Sequence, residues 1–537
     1  MPDPPAAVAV ASGADAVSGF LEDAAHHPGG CAAGVAHPAT TAEVGALLRQ
    51  TRRVLPVGAQ SSLTGGATPM GEVVVTTRRL DRIVAAGSGG VTAQAGVPIA
   101  ELQAALARRN AYYPPVPTFE GACIGGAAAT NAAGAATFKY GATRDWIRGL
   151  QVVLADGSLL ELQRGEHRAH PEGYFELHGP GGVRRIPVPG YRMPDVPKRS
   201  AGYFARPGMD AVDLFIGSEG TLGVVTEVTC GVVSPRPEIA LVWLTVPDEA
   251  RALALVAALR REAQATWRSR DPRGLDVAAV EHLDRRSLEL LREEGADRRH
   301  GVAAPADGAV ALLIQVELPR GAAPTSEAAY DQIGGALSPG APDSPLVRLC
   351  RILDREGVLD RAEIALPADG RRQEQLRAIR EAVPEAVNRR VKAAQREVDS
   401  GIRKTAADMI VPFERFADSL DVFRSAFERG GLDYAIWGHI SDANVHPNVI
   451  PRSLRDVERG QQAILACGRE VIRMGGCPLA EHGVGRNGVK QALLRELYGA
   501  EGIAAMRAVK AALDPLGKLA PGVLFPEAAA RGKGASP

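Results

Sequence analysis

The sequence predicts an α+β protein of more than one domain, and three observations lead to that prediction. The chain has 537 residues, about three times the length of a common domain. Hydrophobic residues make up 45% of it and charged residues 23%, which is the composition of an ordinary globular protein. Short β-type runs and helical patterns follow one another along the whole chain. The fold class is therefore mixed helix and sheet.

Charge and composition argue against several classes of function. The 62 basic and 62 acidic residues give a formal net charge of zero, so no general attraction to nucleic acid or to an anionic membrane is expected. No stretch approaches the ~20 apolar residues of a spanning helix, and no basic residue precedes the short Ala/Val run at the N-terminus. The six cysteines form no CxxC motif, which argues against a disulfide framework or an iron–sulfur cluster in this chain. We therefore predict a cytoplasmic enzyme.

The first part of the chain, from about residue 40 to 234, is rich in Gly and Thr. Its predicted strands are 72–77, 149–154 and 224–233, and its predicted helices are 42–53 and 99–109. A tract at 164–200 with many Pro and Gly residues predicts a loop.

The part after Pro235 predicts a second domain, built on an antiparallel sheet with helices packed against it. Its predicted strands are 239–246 and 309–318, its predicted helices are 248–266 and 371–394, and 319–345 is predicted to be a loop. Beyond Gly475 a Gly-rich stretch leads into predicted helices at 490–497 and 501–513. The tail after Pro526 is predicted to be disordered.

Three glycine-rich segments carry the first functional signal. In 56–66 (PVGAQSSLTGG), glycines permit positive φ and hydroxyl side chains add donors, so the main-chain N–H groups can converge on a pyrophosphate. The segment 121–134 (GACIGGAAATNAAG) has little side-chain bulk and allows close contact with a flat ligand, and 217–223 (GSEGTLG) is the third. Each alone is compatible with tight turns, but together they favour a nucleotide cofactor. A literal GxGxxG at 483–488 lacks a clear βαβ context and is not interpreted as a dinucleotide fingerprint.

A pair of histidines is the strongest catalytic signal. We predict strands at 434–440 and 445–450 joined by a four-residue loop, which places His439 directly opposite His446. Two imidazoles on one face can share a divalent metal, and Asn448 lies on the same face. The alternative is that these histidines are hydrogen-bonded core residues.

A metal at this pair needs a third ligand. Glu481 is the natural candidate, which leaves the adjacent His482 free. Two histidines and one carboxylate suit Zn²⁺, and Mn²⁺ or Fe²⁺ less well, with open positions for substrate oxygens.

The order of these segments resembles a known family. PVGAQSSLTGG, then IGGAAATNAAG and KYG, then LFIGSEGTLGVVTE are similar to the FAD-binding domain of the vanillyl-alcohol oxidase/p-cresol methylhydroxylase (PCMH) class. The second half resembles the C-terminal domain of FAD-linked oxidases such as cytochrome-type D-lactate dehydrogenase, D-2-hydroxyglutarate dehydrogenase and the glycolate oxidase D subunit. The resemblance runs from about Pro38 to Pro526.

The resemblance implies a domain organisation. It consists of an N-terminal segment (1–37), a two-subdomain PCMH-type FAD-binding domain (38–236), a substrate or cap domain with an antiparallel sheet flanked by helices (237–474), a C-terminal helical segment that returns to the FAD domain (475–526) and a disordered tail (527–537).

The resemblance also implies how FAD is held. The first two glycine-rich segments would bind its pyrophosphate and isoalloxazine, and 217–223 would lie beside its adenosine end. The residues expected to bind FAD are Pro56, Gly58, Ala59, Gln60, Ser61, Ser62, Leu63, Thr64, Gly65, Gly125, Gly126, Thr130, Asn131, Gly134, Tyr140, Gly141, Glu219, Gly223 and Val224. No histidine lies in either loop, so noncovalent binding is expected, with attachment through Cys123 as the alternative.

For the histidine site, the family pattern HxGDGNxH is similar to 439–446 and the family EHG to 481–483. In metal-containing relatives the two histidines and the glutamate bind the ion, and the next histidine is the catalytic base. The resemblance therefore implies His439, His446 and Glu481 as ligands of Zn or Mn, and His482 as the base. Ser441 and Ala443 replace two glycines of the family pattern.

Two basic residues are candidates for holding the substrate carboxylate. The family's Arg-Glu motif on a helix resembles Arg380-Glu381, in a helix expected to continue poorly past Pro384, where some relatives carry a threonine. Lys404 approximates a family lysine that precedes an Asp-x-x-x-Pro signature, but it stands four residues before Asp408 rather than two. Arg380, His482 and Asn448 form the expected catalytic set.

The expected reaction is FAD-dependent oxidation of a D-lactate-like D-2-hydroxy acid to its 2-oxo acid, with the hydride going to flavin N5. Electrons would then pass to a cytochrome, a quinone, an electron-transfer flavoprotein or an iron–sulfur subunit, which could bring the protein to a membrane surface. A homodimer is a further candidate assembly. Two rivals stay open: an alkylglycerone-phosphate-synthase-like flavoenzyme without net oxidation, and a flavin-free zinc hydrolase. A non-catalytic binding protein is least favoured, because candidate ligand and acid–base groups are all present.

Overall fold

A computed structural model describes residues 8–87, 89–179, 182–305, 310–321 and 326–527. Its helices are α1 (Ala14–Val17), α2 (Thr41–Gln50), α3 (Ile99–Ala107), α4 (Ile124–Thr130), α5 (Thr137–Tyr140), α6 (Thr143–Trp146), α7 (Ala211–Phe215), α8 (Glu249–Ser269), α9 (Arg285–Glu293), α10 (Ala296–His300), α11 (Ser326–Gly334), α12 (Pro345–Arg355), α13 (Gly370–Glu397), α14 (Phe416–Arg429), α15 (Leu454–Arg473) and α16 (Gly488–Leu513). Its strands are β1 (Val10–Ala11), β2 (Gly34–Ala36), β3 (Val54–Val57), β4 (Val73–Thr76), β5 (Ile83–Gly87), β6 (Gly90–Gln94), β7 (Ile147–Val153), β8 (Leu159–Gln163), β9 (Tyr174–Gly179), β10 (Gly182–Pro187), β11 (Val224–Cys230), β12 (Glu238–Val246), β13 (Asp276–Leu283), β14 (Val310–Leu318), β15 (Ala362–Ala365), β16 (Thr405–Ala406), β17 (Met409–Ile410), β18 (Tyr434–His439) and β19 (Asn444–Val449).

Within the described ranges the strands form four sheets. The N-terminal part contains a four-stranded sheet in the order β1-β2-β4-β3, the hairpin β9-β10 and a five-stranded antiparallel sheet in the order β5-β6-β11-β7-β8. The C-terminal part contains an eight-stranded sheet in the order β15-β12-β14-β13-β18-β19-β16, in which β17 also pairs with β19. All of its pairs are antiparallel, so the predicted α+β class with an antiparallel second sheet is confirmed.

Helices α8, α9 and α13 pack against the eight-stranded sheet. Side-chain caps fix where the first two begin: Asp248 accepts the main-chain N–H of Arg251 at 2.7 Å, and Asp284 accepts that of Ser287 at 2.8 Å. Caps of this kind stabilise a helix by about 1 kcal/mol each. None of the helices in the described part of the chain is long and apolar enough to cross a membrane.

Several predicted elements are wrong, and buried apolar residues explain why. The predicted loop at 164–200 contains β9 and β10, whose buried Phe175, Leu177 and Ile186 were obscured by the surrounding Pro and Gly residues. The predicted loop at 319–345 contains α11. The tail beyond residue 527 lies outside the described residues.

Helix α13 confirms the helix predicted at 371–394, but it continues through Pro384 to Glu397, where poor continuation was expected. A proline inside a helix costs about 3 kcal/mol. Val383, Ala386 and Val387 are fully buried around it, and their packing outweighs that cost. Helix α16 spans both predicted C-terminal helices, with a break at Gly499 where φ is +68°.

The C-terminal segment returns to the N-terminal part, as predicted. The main-chain N–H of Val54 donates to the carbonyl of Lys518 at 2.8 Å, and that of Ala520 donates to the carbonyl of Val54 at 2.7 Å. Leu519 between them forms a parallel bridge with Val54 at the edge of β3. The Lys518 Nζ donates to the carbonyl of Leu48 at 2.7 Å. Residues 518–520 thus extend the first sheet beyond β3.

Candidate active site

A cavity of about 870 Å³ is lined by the glycine-rich segments, by one face of α13, by the β18–β19 hairpin and by residues after Glu481. Its volume lies within the ~300–1,000 Å³ of pockets that hold small molecules and cofactors. Residues distant in sequence therefore meet around one enclosed space.

The first glycine-rich segment presents unsatisfied donors to this cavity. Gln60 has a φ of +57°, and its side chain donates to the carbonyls of Phe20 and Glu22 at 3.0 and 3.1 Å, which anchors the turn. The main-chain N–H groups of residues 59–63 donate to no acceptor among the described residues. Main-chain donors seek acceptors, so five consecutive ones beside a cavity fit an anionic group such as a pyrophosphate.

The second segment leaves space for a flat ligand. Helix α4 begins after Cys123, whose buried thiol has its pKa raised by burial. A Cβ on Gly125 would lie 2.4 Å from the Cβ of Ala95, so close packing of the helix requires glycine there. A Cβ on Gly126 would meet nothing within 4 Å, and this residue lines the cavity.

The predicted FAD-binding residues divide into two groups. Those that line the cavity are Pro56, Gly58, Ala59, Gln60, Ser61, Ser62, Leu63, Gly125, Gly126, Thr130, Glu219, Gly223 and Val224. Those that do not are Thr64, Gly65, Asn131, Gly134, Tyr140 and Gly141.

The second group makes contacts within the protein. The carbonyl of Thr64 accepts the N–H of Arg486 at 3.0 Å, and Asn131 Oδ1 accepts the N–H of Arg144 at 3.0 Å. Gly65, Gly134 and Gly141 pack against His27, Val116 and Asp145.

The KYG motif joins the two halves of the chain. The Tyr140 hydroxyl donates to Glu317 on β14 at 2.6 Å. The Nζ of Lys139 lies 2.6 Å from carboxylate oxygens of both Asp276 and Glu317. The side chains of Lys139 and Tyr140 therefore make these polar contacts with the second half of the chain.

Glu219 holds the segment that follows Glu481. Its φ is +52°, and its buried carboxylate accepts the main-chain N–H groups of Val484 and Gly485, both at 2.8 Å. Burial raises the pKa of Glu219 to about 7, although these two hydrogen bonds act in the opposite direction. A Cβ on Gly485 would lie 2.3 Å from the Thr64 Oγ1. The literal GxGxxG therefore serves close packing.

The histidine hairpin forms, but its predicted register is wrong. The observed pairs are Trp437 with His446 and His439 with Asn444. A 3₁₀ turn at Ile440–Asp442 forms most of the connection. Because of it, β18 ends and β19 begins one residue earlier than predicted. The resulting shift between the strands is two residues, so His439 and His446 remain on one face as diagonal neighbours, with ring centroids 5.4 Å apart.

The two residues that replace family glycines are accommodated differently. Ser441 Oγ accepts the main-chain N–H of Val280 at 3.0 Å. Ala443 takes a left-handed conformation with φ of +62°. The turn keeps the conformation that a glycine would favour there.

Three imidazoles approach one oxygen of Glu481. Its Oε1 lies 3.2 Å from His446 Nε2, 3.4 Å from His439 Nε2 and 3.6 Å from His482 Nε2. Atoms bonded to one tetrahedral Zn²⁺ at ~2.0–2.1 Å are about 3.3 Å from each other. The donor set and its spacing therefore fit a single divalent ion.

Glu281 fixes the orientation of His439. Its Oε1 lies 2.7 Å from His439 Nδ1, and its Oε2 accepts from Arg380 Nε at 3.0 Å. If His439 Nδ1 donates to Glu281, the neutral ring carries a lone pair on Nε2, and this lone pair faces the Glu481 carboxylate. Two such acceptors repel each other unless a proton or a cation lies between them. Burial opposes protonation, but Glu281 outweighs it and raises the pKa of His439 to about 9. Carboxylate–imidazole pairs of this kind orient metal ligands.

Asp408, to which the sequence assigned no role, shapes the Glu481–His482 turn. Its Oδ2 accepts the main-chain N–H groups of both residues at 2.8 Å, and its Oδ1 accepts from Asn444 Nδ2 at 3.0 Å. Candidate ligand atoms of Asp408, His446, Glu481 and His482 all lie within 4.8 Å of one another. Two ligand sets are thus available, which share His446 and Glu481. The sequence signal for Asp408 was its Asp-x-x-x-Pro motif.

Lys198 is a second residue that sequence reasoning missed. Its side chain has no exposed surface, and its Nζ lies 2.9 Å from Glu481 Oε2, 3.2 Å from Asp442 Oδ2 and 3.1 Å from Asn444 Oδ1. Burial lowers the pKa of Lys198, but the two carboxylates outweigh burial and raise it. A lysine in a Pro-rich tract gives no signal of such a position.

His482 and Asn448 line the cavity beside the imidazole cluster. The His482 ring stacks on His446 with centroids 5.0 Å apart, its side chain is 25% exposed, and burial lowers its pKa to about 4. Asn448 Nδ2 donates to the carbonyl of His446 at 2.8 Å, while its buried Oδ1 has no partner among the described residues. Both residues present polar atoms to the cavity.

Arg380 and Lys404 also line the cavity, and their surroundings differ. Arg380 is buried, with Nε on Glu281 and Nη1 on Glu381, each at 3.0 Å. The Lys404 Nζ makes no ion pair with any described carboxylate, and burial lowers its pKa to about 8. Lys404 is therefore more available than Arg380 to pair with a substrate carboxylate.

Comparisons with known proteins extend over both halves of the chain. Residues 32–163 match the FAD binding domain family, and residues 246–524 match the FAD linked oxidases, C-terminal domain. The chain is 28% identical to D-2-hydroxyglutarate dehydrogenase of Xanthomonas citri pv. viticola, over 91% of this chain and 89% of that protein. It is 26% identical to glycolate oxidase subunit GlcD of Bacillus subtilis (88% and 83%) and 24% identical to D-lactate dehydrogenase of Archaeoglobus fulgidus (91% and 90%).

The fold is also similar to that of a solved oxidase structure. The 4-ethylphenol oxidase from Gulosibacter chungangensis aligns with a TM-score of 0.63 at 16% identity, over 96% of this chain and 94% of that one. At this identity the likeness concerns the fold.

Proposed function

This chain belongs to the family of FAD-linked oxidases, and from that premise we propose that it oxidises a D-lactate-like D-2-hydroxy acid to the 2-oxo acid. The convergence of three imidazoles on Glu481 beside the glycine-lined cavity carries the proposal. The names of relatives, D-2-hydroxyglutarate dehydrogenase and D-lactate dehydrogenase, support the substrate class. The electrons pass to a separate acceptor: a cytochrome, a quinone, an electron-transfer flavoprotein or an iron–sulfur subunit.

The FAD would be held noncovalently. The main-chain donors of residues 59–63 would bind its pyrophosphate, and Gly126 would leave space for the isoalloxazine ring. Bound FAD supplies the hydride acceptor, and the task of the protein is to align the substrate with it.

A divalent ion, Zn²⁺ or Mn²⁺, would be held by His439, His446 and Glu481. We favour His439 over His482 as the ligand because His439 is buried and its Nδ1 is fixed by Glu281, whereas His482 faces the cavity. Such an ion lowers the pKa of a bound hydroxyl group.

The remaining residues would orient the substrate and move its proton. Arg380 and Lys404 would attract the carboxylate, and Asn448 would direct its unpaired Oδ1 at a hydroxyl donor. His482 would accept the hydroxyl proton at Nε2, because burial keeps its imidazole neutral.

An anaerobic visible spectrum of the purified protein tests this function. We expect a D-2-hydroxy acid to bleach the flavin band, a chelator to abolish bleaching, and Zn²⁺ or Mn²⁺ to restore it, while the L-enantiomer has no effect. A flavin that no hydroxy acid bleaches, with metal present, would favour the rival flavoenzyme without net oxidation. Absence of flavin after reconstitution with FAD would favour the zinc hydrolase.

The pH dependence of kcat/KM should reflect the protonation state of Lys404. A lysine is charged below its pKa, and burial lowers that pKa to about 8, so the charge that attracts the substrate is lost above this pH. We expect kcat/KM to fall as the pH rises through about 8. Replacing Lys404 by methionine should remove this limb and lower kcat/KM at pH 7 by roughly tenfold or more.

Lys392→Met is the matched control, since Lys392 is exposed and does not line the cavity. Its pH profile should equal that of the unmodified enzyme. If kcat/KM of the Lys404→Met variant still falls as the pH rises through about 8, the fall does not come from Lys404 and its proposed role is wrong.

A further inference from the structure

One wall of the cavity is a face of helix α13. Arg380, Glu381, Pro384, Glu385 and Asn388 all line the cavity, at spacings that place them on one side of the helix. Because a helix rises 1.5 Å per residue, this face extends over about 12 Å, from a buried end at Arg380 to an exposed end at Asn388. A substrate side chain that points away from the imidazole cluster can follow this wall toward the mouth.

Most of the cationic side chains that line the cavity already have partners within the protein. Three Lys or Arg side chains line it, among the residues that the structure describes: Arg380, Lys404 and Lys490. The first is already paired with two carboxylates at 3.0 Å. Lys490 is buried, donates to the carbonyl of Gly483 and lies in the field of carboxylates near the C-terminal turn. Among the described lining residues, Lys404 is the cation with neither an ion pair nor a hydrogen bond within the protein, so it is more available to an incoming carboxylate than Arg380 or Lys490.

The outer part of the wall is acidic. The side chains of Glu381 and Glu385 are 43% and 63% exposed, and both line the cavity. Arg389 lies 3.6 Å from Glu385, but its Nε is closer to Glu294, at 3.2 Å, and it does not line the cavity. Pro384 between the two glutamates has no main-chain N–H and no polar side-chain atom to donate.

We infer that the site takes 2-hydroxy monocarboxylates with an uncharged side chain, and that Glu381 and Glu385 select against acids with a second carboxylate. The inference rests on the proposed function. The first carboxylate would have Lys404 as its partner. A second one along α13 would meet like charges and find no further described lining cation without a partner in the protein. The selectivity therefore arises mainly from electrostatic repulsion of the second carboxylate.

Substrate competition in the holoenzyme tests the inference, with 2,6-dichlorophenolindophenol as the electron acceptor. The readout is the ratio of kcat/KM for D-2-hydroxyglutarate to that for D-lactate. We expect the unmodified enzyme to prefer D-lactate, Glu385→Gln to raise the ratio roughly threefold, and Glu381→Gln with Glu385→Gln to raise it roughly tenfold. Glu374→Gln, at an exposed position of α13 that does not line the cavity, is the control and should leave the ratio unchanged.

The possible results separate this inference from the proposed function. A preference for D-2-hydroxyglutarate, or a ratio that neither variant moves, would overturn the inference and leave the proposed function standing. If no hydroxy acid reduces the flavin, the proposed function fails and the inference fails with it.

Discussion

Replacement of Glu481 by glutamine is expected to slow reduction of the flavin by a D-2-hydroxy acid roughly a thousandfold. Glutamine keeps the shape of the side chain but removes the negative charge that three imidazoles approach within 3.6 Å. Stopped-flow reduction under anaerobic conditions measures the rate. Metal content, measured by mass spectrometry, should fall in parallel. Flavin content should not, because no hydrogen bond among the described residues joins Glu481 to the proposed pyrophosphate loop at 59–63.

The matched control is Glu458→Gln on α15, an exposed position that does not line the cavity. It should retain both metal and reduction rate. If Glu481→Gln keeps its metal and reacts at the unmodified rate, Glu481 is not a ligand and the metal assignment is wrong.

Methionine at position 198 is expected to lower the free energy of unfolding by about 3–5 kcal/mol. The lysine is fully buried and lies within 3.2 Å of both Asp442 and Glu481, so its removal deprives the two carboxylates of the ammonium group that they share. Urea unfolding of the metal-free protein measures the loss. Addition of Zn²⁺ should recover part of it, because an ion bound at Glu481 supplies positive charge.

A second variant separates charge from packing in this prediction. Lys198→Met combined with Asp442→Asn removes one charge of each sign, and it should be more stable than Lys198→Met alone. A loss below about 1 kcal/mol for Lys198→Met would contradict an essential buried ion pair. An equal loss in both variants would assign the effect to packing.

The sequence was informative where a site is built from residues close together in the chain. His439 and His446 occupy one strand–turn–strand unit. Side chains alternate between the two faces of a strand, so both histidines lie on the same face in the predicted register and in the observed one. The register itself depended on a 3₁₀ turn and a left-handed alanine, which residue types alone do not specify.

Residues that support the site from a distance could not be predicted. Glu281 reaches His439 across 158 positions, and Lys198 reaches Asn444 across 246. Both are ordinary charged residues in unremarkable stretches, and only tertiary packing gives them their partners. Tyr140 is the reverse case: its motif was expected to bind the cofactor, whereas its hydroxyl donates to Glu317 on β14 and the residue does not line the cavity.

The pairing of residues 518–520 with β3 has a consequence for biosynthesis. Lys518, which contacts Leu48, is translated 470 positions after it, so the emerging polypeptide leaves one edge of its first sheet open until nearly all of the described chain has been made. The N-terminal part therefore emerges from the ribosome with one edge of its first sheet unpaired, and chaperones have that strand edge to protect in the meantime.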